Sequence, residues 1–438
     1  MRRALLVAAV LLAAFRSVRA EGEDPKERQK KITEARKALA EADRQLKLKI
    51  SAAIEKGAKW LEKEQSTDGT WPGFQPGSRD KQDLGLQALC ILTLAKCGRD
   101  AVDPSVAKGL SALRGMYDGQ GAPPLNFKAS DSLTTYSVAT MLMMYEALYH
   151  PQPGPKAPGD RYAKPKGAKD CKMPRDVEAI VRDLVAWLVS HRAERVWRYP
   201  WEAPDGKEDL SNTQYALLGL AAAARCGIET GAEVYERALA YVLDHQQKTG
   251  PEVVRWIPNE SYEPGTESER YGPFLGGPKD KARGWTYIPD APVTGSMTTA
   301  GIAALAICKD RLKALDRLDK ETAKSINASM IDGLAWIAKE FKVDRNPGGG
   351  WHYYYLYGLE RAGAMTGLTY FGKRDWYREG ADYLVYHQSP DGWWPEPAEA
   401  ANAKWQYKTT QTCFALLFLS RASVPPSEPI GPVVTSGN

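Results

Sequence analysis

The chain has 438 residues, 43% hydrophobic and 26% charged, with a formal charge of +5. Four basic residues, Arg2, Arg3, Arg16 and Arg19, fall within the first twenty positions, so the remainder is close to neutral. A near-neutral chain without long Lys/Arg blocks lacks the electrostatic footprint of phosphate-backbone binding, which excludes nucleic acid as the expected partner.

Residues 1–20 join a basic start to an apolar stretch over 4–15 and end Val18-Arg19-Ala20 before an acidic 21–24, the pattern of a secretory signal peptide. The apolar stretch is too short for a bilayer core of about 30 Å, and no later segment offers the roughly 18 uninterrupted apolar residues of a span. The expectation is an exported protein, periplasmic or extracellular, with no transmembrane segment. Residues 21–50 read as a charged helical segment, 51–422 as one repetitive domain, and 423–438 as a disordered tail.

Within 51–422 a unit recurs six times. Its first helix is amphipathic with one large anchor: Trp60, Leu113, Trp187, Tyr241, Trp336 or Tyr383. These helices are expected near 52–65, 106–116, 177–191, 234–247, 329–341 and 376–388. A loop rich in Gly, Pro and Trp leads to a second helix, apolar nearly all round, near 83–97, 132–148, 212–226, 298–309, 357–370 and 410–420. A helix apolar on every side must be surrounded by protein, whereas one with a charged face can meet water. The second helices therefore belong inside, the first outside, and six pairs bury both open ends by closing into a ring, an all-α α/α toroid.

Every outer-to-inner loop then emerges on one rim, and nine of the thirteen tryptophans lie in those loops: Trp71, Trp197, Trp201, Trp256, Trp285, Trp351, Trp393, Trp394 and Trp405. The longest, 248–297, exceeds ordinary connection lengths and reads as a lid or wall. Residues 151–174, rich in Pro and Gly, read as a plain spacer on the opposite rim. Cys90, Cys97, Cys226, Cys308 and Cys413 lie in apolar helical runs and read as buried thiols. The absence of C-x-x-C spacing leaves no expected structural zinc site.

Gly57-Ala-Lys-Trp-Leu-Glu-Lys-Glu-Gln65-Ser-Thr-Asp-Gly69-Thr-Trp71 and Gly380-Ala-Asp-Tyr-Leu-Val-Tyr-His-Gln388-Ser-Pro-Asp-Gly392-Trp-Trp394 resemble the Gln-Trp repeat. That repeat marks the squalene and hopene cyclases within the prenyltransferase and squalene-oxidase repeat superfamily. The resemblance implies the toroid fold and makes Gln65 with Trp71, and Gln388 with Trp394, structural staples of an outer helix to the following loop. The family's Asp-x-Asp-Asp acid motif does not occur in this sequence; Asp290 stands in a comparable loop as a single carboxyl. Where the protein prenyltransferases carry a zinc-ligating histidine, the segment 407–413 has Gln411. No cofactor and no metal is therefore expected.

Candidate catalytic residues are His352, set among four tyrosines after a Gly348-Gly-Gly run and followed by Glu360-Arg361, and the acids Asp290 and Asp131 at the loop rim. Candidate ligand contacts are Trp285, Tyr287, Trp351, Tyr354, Tyr357 and Trp393, whose aromatic faces suit an isoprenoid or a saccharide, with Thr213 and Thr410 at inner-helix starts. Helix capping and core packing compete for all of these positions. Three functions follow. The first is a binding toroid for a hydrophobic or amphipathic ligand; the second is a divergent isoprenoid cyclase. The third is a carbohydrate-active hydrolase or lyase that uses Trp393, Trp394 and carboxylates among Asp205, Asp209, Asp391 and Glu396.

Overall fold

The structure is a computed structural model and describes residues 24–72, 84–116, 134–154, 160–199, 208–259, 262–264, 270–273, 279–395 and 408–428. Six helices form an outer ring: α1 (Pro25–Glu64), α3 (Pro104–Gly115), α5 (Arg175–Ser190), α7 (Ala232–Asp244), α9 (Lys320–Glu340) and α11 (Trp376–His387). Six alternate with them inside: α2 (Leu84–Lys96), α4 (Thr135–Tyr149), α6 (Leu210–Arg225), α8 (Gly295–Ala314), α10 (His352–Thr366) and α12 (Lys408–Leu419). Each inner helix packs on the next, and α12 returns to pack on α2 and α1, so the ring closes. The architecture is an α/α toroid.

The inside and outside assignments follow from the side chains. Outer α5 buries Val177, Ile180, Val181, Leu184, Val185 and Leu188, a stripe at helical spacing, and turns Arg182 and Glu178 to water. Inner α6 buries every residue from Leu210 to Ala224. Aspartates start several helices by accepting a backbone N–H of the first turn: Asp103 on α3, Asp209 on α6, Asp319 on α9 and Asp375 on α11. Among the described residues no helix is long and apolar enough to cross a membrane.

One joint repeats around the ring. The tryptophan after an outer helix folds back under it and its indole N–H donates to a carbonyl of the helix's last turns: Trp71 to Leu61 at 2.7 Å, and Trp197 to Leu188, Trp285 to Val242 and Trp394 to Leu384 at 2.8 Å. All four indoles are fully buried. Glycines make the room. A Cβ on Gly301 would lie 2.4 Å from the Trp285 ring and one on Gly333 2.5 Å from it, so only glycine admits the indole between α8 and α9.

In three of these joints a glutamine reaches onward to the next outer helix. Gln65 donates to Gly69 O and Ser105 O, and Gln246 to Arg283 O and Ser329 O. Gln388 donates to Gly392 O and to Ala53 O, both at 2.9 Å, and that last bond ties the sixth repeat to the first. The structural roles of Gln65, Trp71, Gln388 and Trp394 are those the repeat resemblance implies.

Four sequence expectations are revised. The charged segment 21–50 does not stand apart from the domain, because from Pro25 onward it runs unbroken into the first outer helix as α1. The fifth inner helix starts at His352, not near 357; Trp351 caps it in the left-handed conformation at φ 58°, which puts the tyrosines on the helix and not in a loop. The described part of 151–174 is no plain spacer, since Tyr162 donates to Glu360 and Asp160 O accepts from Arg421. Tail residues up to 428 are docked, with Ser427 N bonded to Asp310 and Glu428 paired to Lys313.

The ring-closing glutamine should be worth more than its chemistry at the surface. Gln388→Ala removes two hydrogen bonds and leaves two carbonyls short of a donor, an expected loss of about 1–3 kcal/mol in urea unfolding. Gln45→Ala, on the exposed face of α1, is the control and should leave the midpoint unchanged.

Candidate functional site

A ring of inner helices encloses a lumen, and the groups that enter it are set by helical spacing. On α10 the positions 354, 357 and 361 share one face and present Tyr354, Tyr357 and Arg361. On α6 the positions 211, 214 and 215 present Ser211, Gln214 and Tyr215. Helices α6 and α10 are not ring neighbours, since α8 stands between them, so contacts joining them cross the lumen.

Those contacts form a layer of hydroxyls and rings. Tyr136 of α4 donates to Ser211 Oγ at 2.5 Å, Ser211 Oγ meets Tyr354 OH at 2.7 Å, and the Gln214 amide donates to the same Tyr354 oxygen. Ring centroids lie 4.6 Å apart for Tyr136 and Tyr215, 5.8 Å for Tyr136 and Tyr199, and 5.7 Å for Tyr354 and Phe414 of α12. Tyr136, Tyr199, Tyr354 and Phe414 are half-buried, so this layer meets solvent on its rim side.

Beneath it lies Arg361, 1% exposed. Its guanidinium carbon sits 4.3 Å from the Tyr357 ring centre, 5.5 Å from that of Tyr215 and 5.9 Å from that of Tyr354. One terminal nitrogen donates to Gln214 Oε1 at 3.4 Å, while Nε and Nη1 have no hydrogen-bond partner. Among the described residues no carboxylate pairs with it. The adjacent Glu360 turns away, accepting from Tyr162 OH at 2.5 Å and from Ser423 Oγ at 2.5 Å.

The other buried ionisable groups of the inner ring are paired or shifted by burial. Burial raises the Glu360 carboxyl toward its neutral form, against the hydrogen bonds from Ser423 and Tyr162. Glu146 is spent on a two-point ion pair with Arg225, whose Nη2 lies 2.8 Å from Oε2. Lys96 feels this group as well; burial depresses its pKa, with Glu146 and Glu360 opposing and Arg225 assisting. Burial raises the pKa of Tyr136, Tyr215, Tyr354 and Tyr357, so at neutral pH their hydroxyls are protonated and able to donate.

The sequence candidates fall in different places. Tyr354 and Tyr357 belong to the lumen cluster. His352 is 7% exposed on the opposite face of α10, with Nε2 2.8 Å from Val343 O and its ring beside Tyr353 and Tyr383. Asp290 lies exposed in a loop at φ 63°, and Asp131 lies outside the described residues, as do Trp201, Trp405, Asp205 and Glu396. Trp285 is a fully buried staple. Tyr287 is half-buried and its carbonyl accepts from Leu210 N at 3.0 Å. Trp351 is 68% exposed on the rim. Trp393 is half-buried under Lys408, whose Nζ is 4.3 Å from the ring centre. Thr213 is buried and donates to Asp209 O, and Thr410 is half-buried in the first turn of α12. Asp209 caps α6 and holds the Asn212 amide at 2.8 Å.

Arg361, Ser211, Tyr136 and Tyr215 were not singled out as ligand contacts by the sequence reading. The legible signal was a charged pair in the middle of an otherwise buried inner helix. What no pattern reveals is that Glu360 and Arg361, one step apart, face opposite partners.

A concavity of about 910 Å³ lies between α9, the segments 161–164 and 253–256, the turn 367–374 and the tail residues 425–427. Two of its charged groups are already paired, Arg255 with Asp280 at 2.9 Å and Arg374 with Glu379. The described residues 252–253 and 280–281 pair as a short antiparallel ribbon, and Arg283 binds Asp332 of α9 at 2.7 Å, so this part of the long loop is a wall. We place the candidate site in the lumen, where the buried Arg361 guanidinium has no carboxylate partner among the described residues, whereas Arg255 has Asp280.

No family model and no curated protein matches the sequence. Solved structures share its fold. A single-residue variant of a type II terpene cyclase, MstE from Scytonema, aligns over 86% of this chain and 98% of its own with 12% identity and a TM-score of 0.48. An α-1,6-mannanase of Salegentibacter sp. HEL1_6 aligns over 85% of this chain and 99% of its own with 10% identity and a TM-score of 0.50. An inactive variant of that mannanase, solved with α-1,6-mannotetrose, aligns with 11% identity and a TM-score of 0.51, over 85% of this chain and 98% of its own. At this identity the likeness is one of fold.

His352 makes a pH prediction. Burial depresses its pKa from 6.5 to about 4, while the bond to Val343 O pulls the other way. A depressed folded pKa means the unfolded chain takes up the proton first, so the contribution is complete above pH 6.5 and is lost as pH falls toward 4. The acid limb should cost roughly 3 kcal/mol at its full extent. His352→Gln should flatten the stability curve between pH 6.5 and 4, read by urea unfolding at several pH values; an unchanged slope would remove this assignment.

Proposed function

We propose that the chain is an exported ligand-binding toroid that holds the anionic group of an amphipathic ligand against Arg361. The apolar or aromatic body of that ligand lies along the tyrosine layer at the mouth of the lumen. Export rests on the pattern of residues 1–20, and the ligand class rests on the lumen. The observation that carries the reading is Arg361: 1% exposed, caged by three tyrosines, with two unpartnered guanidinium nitrogens.

Burying a cation without a counter-ion costs several kcal/mol, because its hydration is lost and no Coulomb attraction replaces it. A ligand carboxylate or phosphate supplies that charge, and the planar guanidinium fork matches either one. Tyr215 and Tyr357, whose hydroxyls stay protonated, stand beside the guanidinium. Binding without turnover is supported by the carboxyl groups around the lumen among the described residues, which are engaged elsewhere: Glu360 by Tyr162 and Ser423, Glu146 by Arg225, Asp209 by Asn212. A cyclase would require one of them as a free acid, and a glycosidase two flanking one bond.

Tryptophan fluorescence and calorimetric titration with a polyprenyl phosphate, the matching polyprenol and α-1,6-mannotetraose test the proposal. The phosphate should bind at least tenfold more tightly than the alcohol, and Arg361→Met should abolish that preference, the equivalent of about 1.5–3 kcal/mol for a charged hydrogen bond. Without ligand, Arg361→Met should melt no lower than the parent, since it removes a buried uncompensated charge. Equal binding of phosphate and alcohol, or an Arg361→Met protein that still prefers phosphate, would refute the reading; recovery of a converted product would replace it with an enzyme.

A further inference from the structure

The lumen leaves one cluster of potential ligands unused. His150 forms the C-terminal cap of α4, Cys226 that of α6, and Cys171 follows the short turn Ala168–Asp170 beneath the ring. One ligand atom from each of the three side chains lies within 4.8 Å of the others. His150 is 1% exposed, and its Nε2 is buried without a hydrogen-bond partner. Its other ring nitrogen, Nδ1, lies 3.1 Å from the Gln152 amide nitrogen. Both cysteines are free thiols and half-buried.

We propose that His150, Cys171 and Cys226 form a Zn²⁺ site, with the fourth position of the tetrahedron taken by water. Tetrahedral zinc with Zn–S near 2.3 Å and Zn–N near 2.0 Å holds its ligand atoms roughly 3.5–3.8 Å apart, a contraction that side-chain rotation supplies from the present spacing. Two thiolates and a neutral imidazole balance the ion's charge. The site sits at two helix C-termini, where the carbonyl ends favour a cation. Arg225, the neighbouring cation, is already held by Glu146. Coordination through Nε2 places the imidazole proton on Nδ1, so the Gln152 amide, held by Lys166 N and by His150 O, gives up its contact with that nitrogen when the ion binds.

The ion would fasten the under-ring segment. Residues 160–172 reach the toroid through Tyr162 on Glu360 and through Lys172 N on Tyr149 O at 2.8 Å. Zinc on Cys171 adds a bond to each of two inner helices. This site is separate from the Gln411 region of α12, where the repeat resemblance would put a metal ligand, because α4 and α6 meet it at their C-terminal ends.

The test uses the full protein, treated with chelator and reductant and then titrated with Co²⁺ as a spectroscopic stand-in. The expected result is one ion per chain with a sulfur-to-cobalt charge-transfer band that Zn²⁺ abolishes, and a rise in melting temperature on adding Zn²⁺. Cys226→Ser and His150→Gln should each weaken binding at least tenfold, while Cys308→Ala, a buried thiol elsewhere, should bind as the parent does. Absence of the band in the reduced parent protein overturns the site. So does thiol mapping that finds Cys171 and Cys226 joined as a disulfide whose reduction brings no cobalt binding.

Discussion

The indole N–H of a rim tryptophan bonded to the end of its own outer helix is the joint on which the molecule depends. An outer helix ends with carbonyls that no further turn can satisfy. Trp71, Trp197, Trp285 and Trp394 each cover that end and bury a full indole between the helices, worth about 3–5 kcal/mol on truncation by analogy with other cores. The accompanying glutamines Gln65, Gln246 and Gln388 then bond to the following outer helix. A ring of six pairs joined in this way must either leave two frayed ends or meet itself. Gln388 on Ala53 is where it meets itself.

Closure decides what the inner helices can carry. Once α2 to α12 face one another, their outward sides are covered by the outer ring and their inward sides share one lumen. Small residues let the inner helices approach, as at Gly219, where a Cβ would lie 2.8 Å from the Ala139 backbone. The polar groups that remain inside are thereby concentrated. Tyrosines bridge α4, α6 and α10, and Arg361 is left beneath them with fewer acceptors than donors. The double ring supports this uncompensated cation because the apolar packing of both rings outweighs one desolvation penalty.

The far end of the ring is closed by different means. The segment 160–174 and the residues after α12 dock through Tyr162, Arg421 and Ser423, with Arg421 4.6 Å from the Tyr162 ring centre and 4.8 Å from that of Tyr377. Their shared acceptor is Glu360. The same short stretch of α10 thus closes the far end with one side chain and charges the lumen with the next. At the opposite, tryptophan-rim end, Tyr136, Tyr199, Tyr354 and Phe414 are half-buried among the described residues.

The sequence by itself determined the repeat, the alternation of amphipathic and wholly apolar helices, and the structural part of the Gln-Trp units, because those depend on local periodicity and on residues a few positions apart. It also pointed to Tyr354 and Tyr357 through their clustering. Only the tertiary structure decided which face of α10 each residue occupies: His352 turns to the Val343 carbonyl, Tyr354 and Arg361 to the lumen, and Glu360 to Tyr162. A helix start moved by five residues, from 357 to 352, changes every such assignment, since each residue turns the side chain by about 100°. The gathering of His150, Cys171 and Cys226 was likewise invisible, because their spacing along the chain matches no metal motif. It is the ring that brings the ends of two helices and a returning segment together.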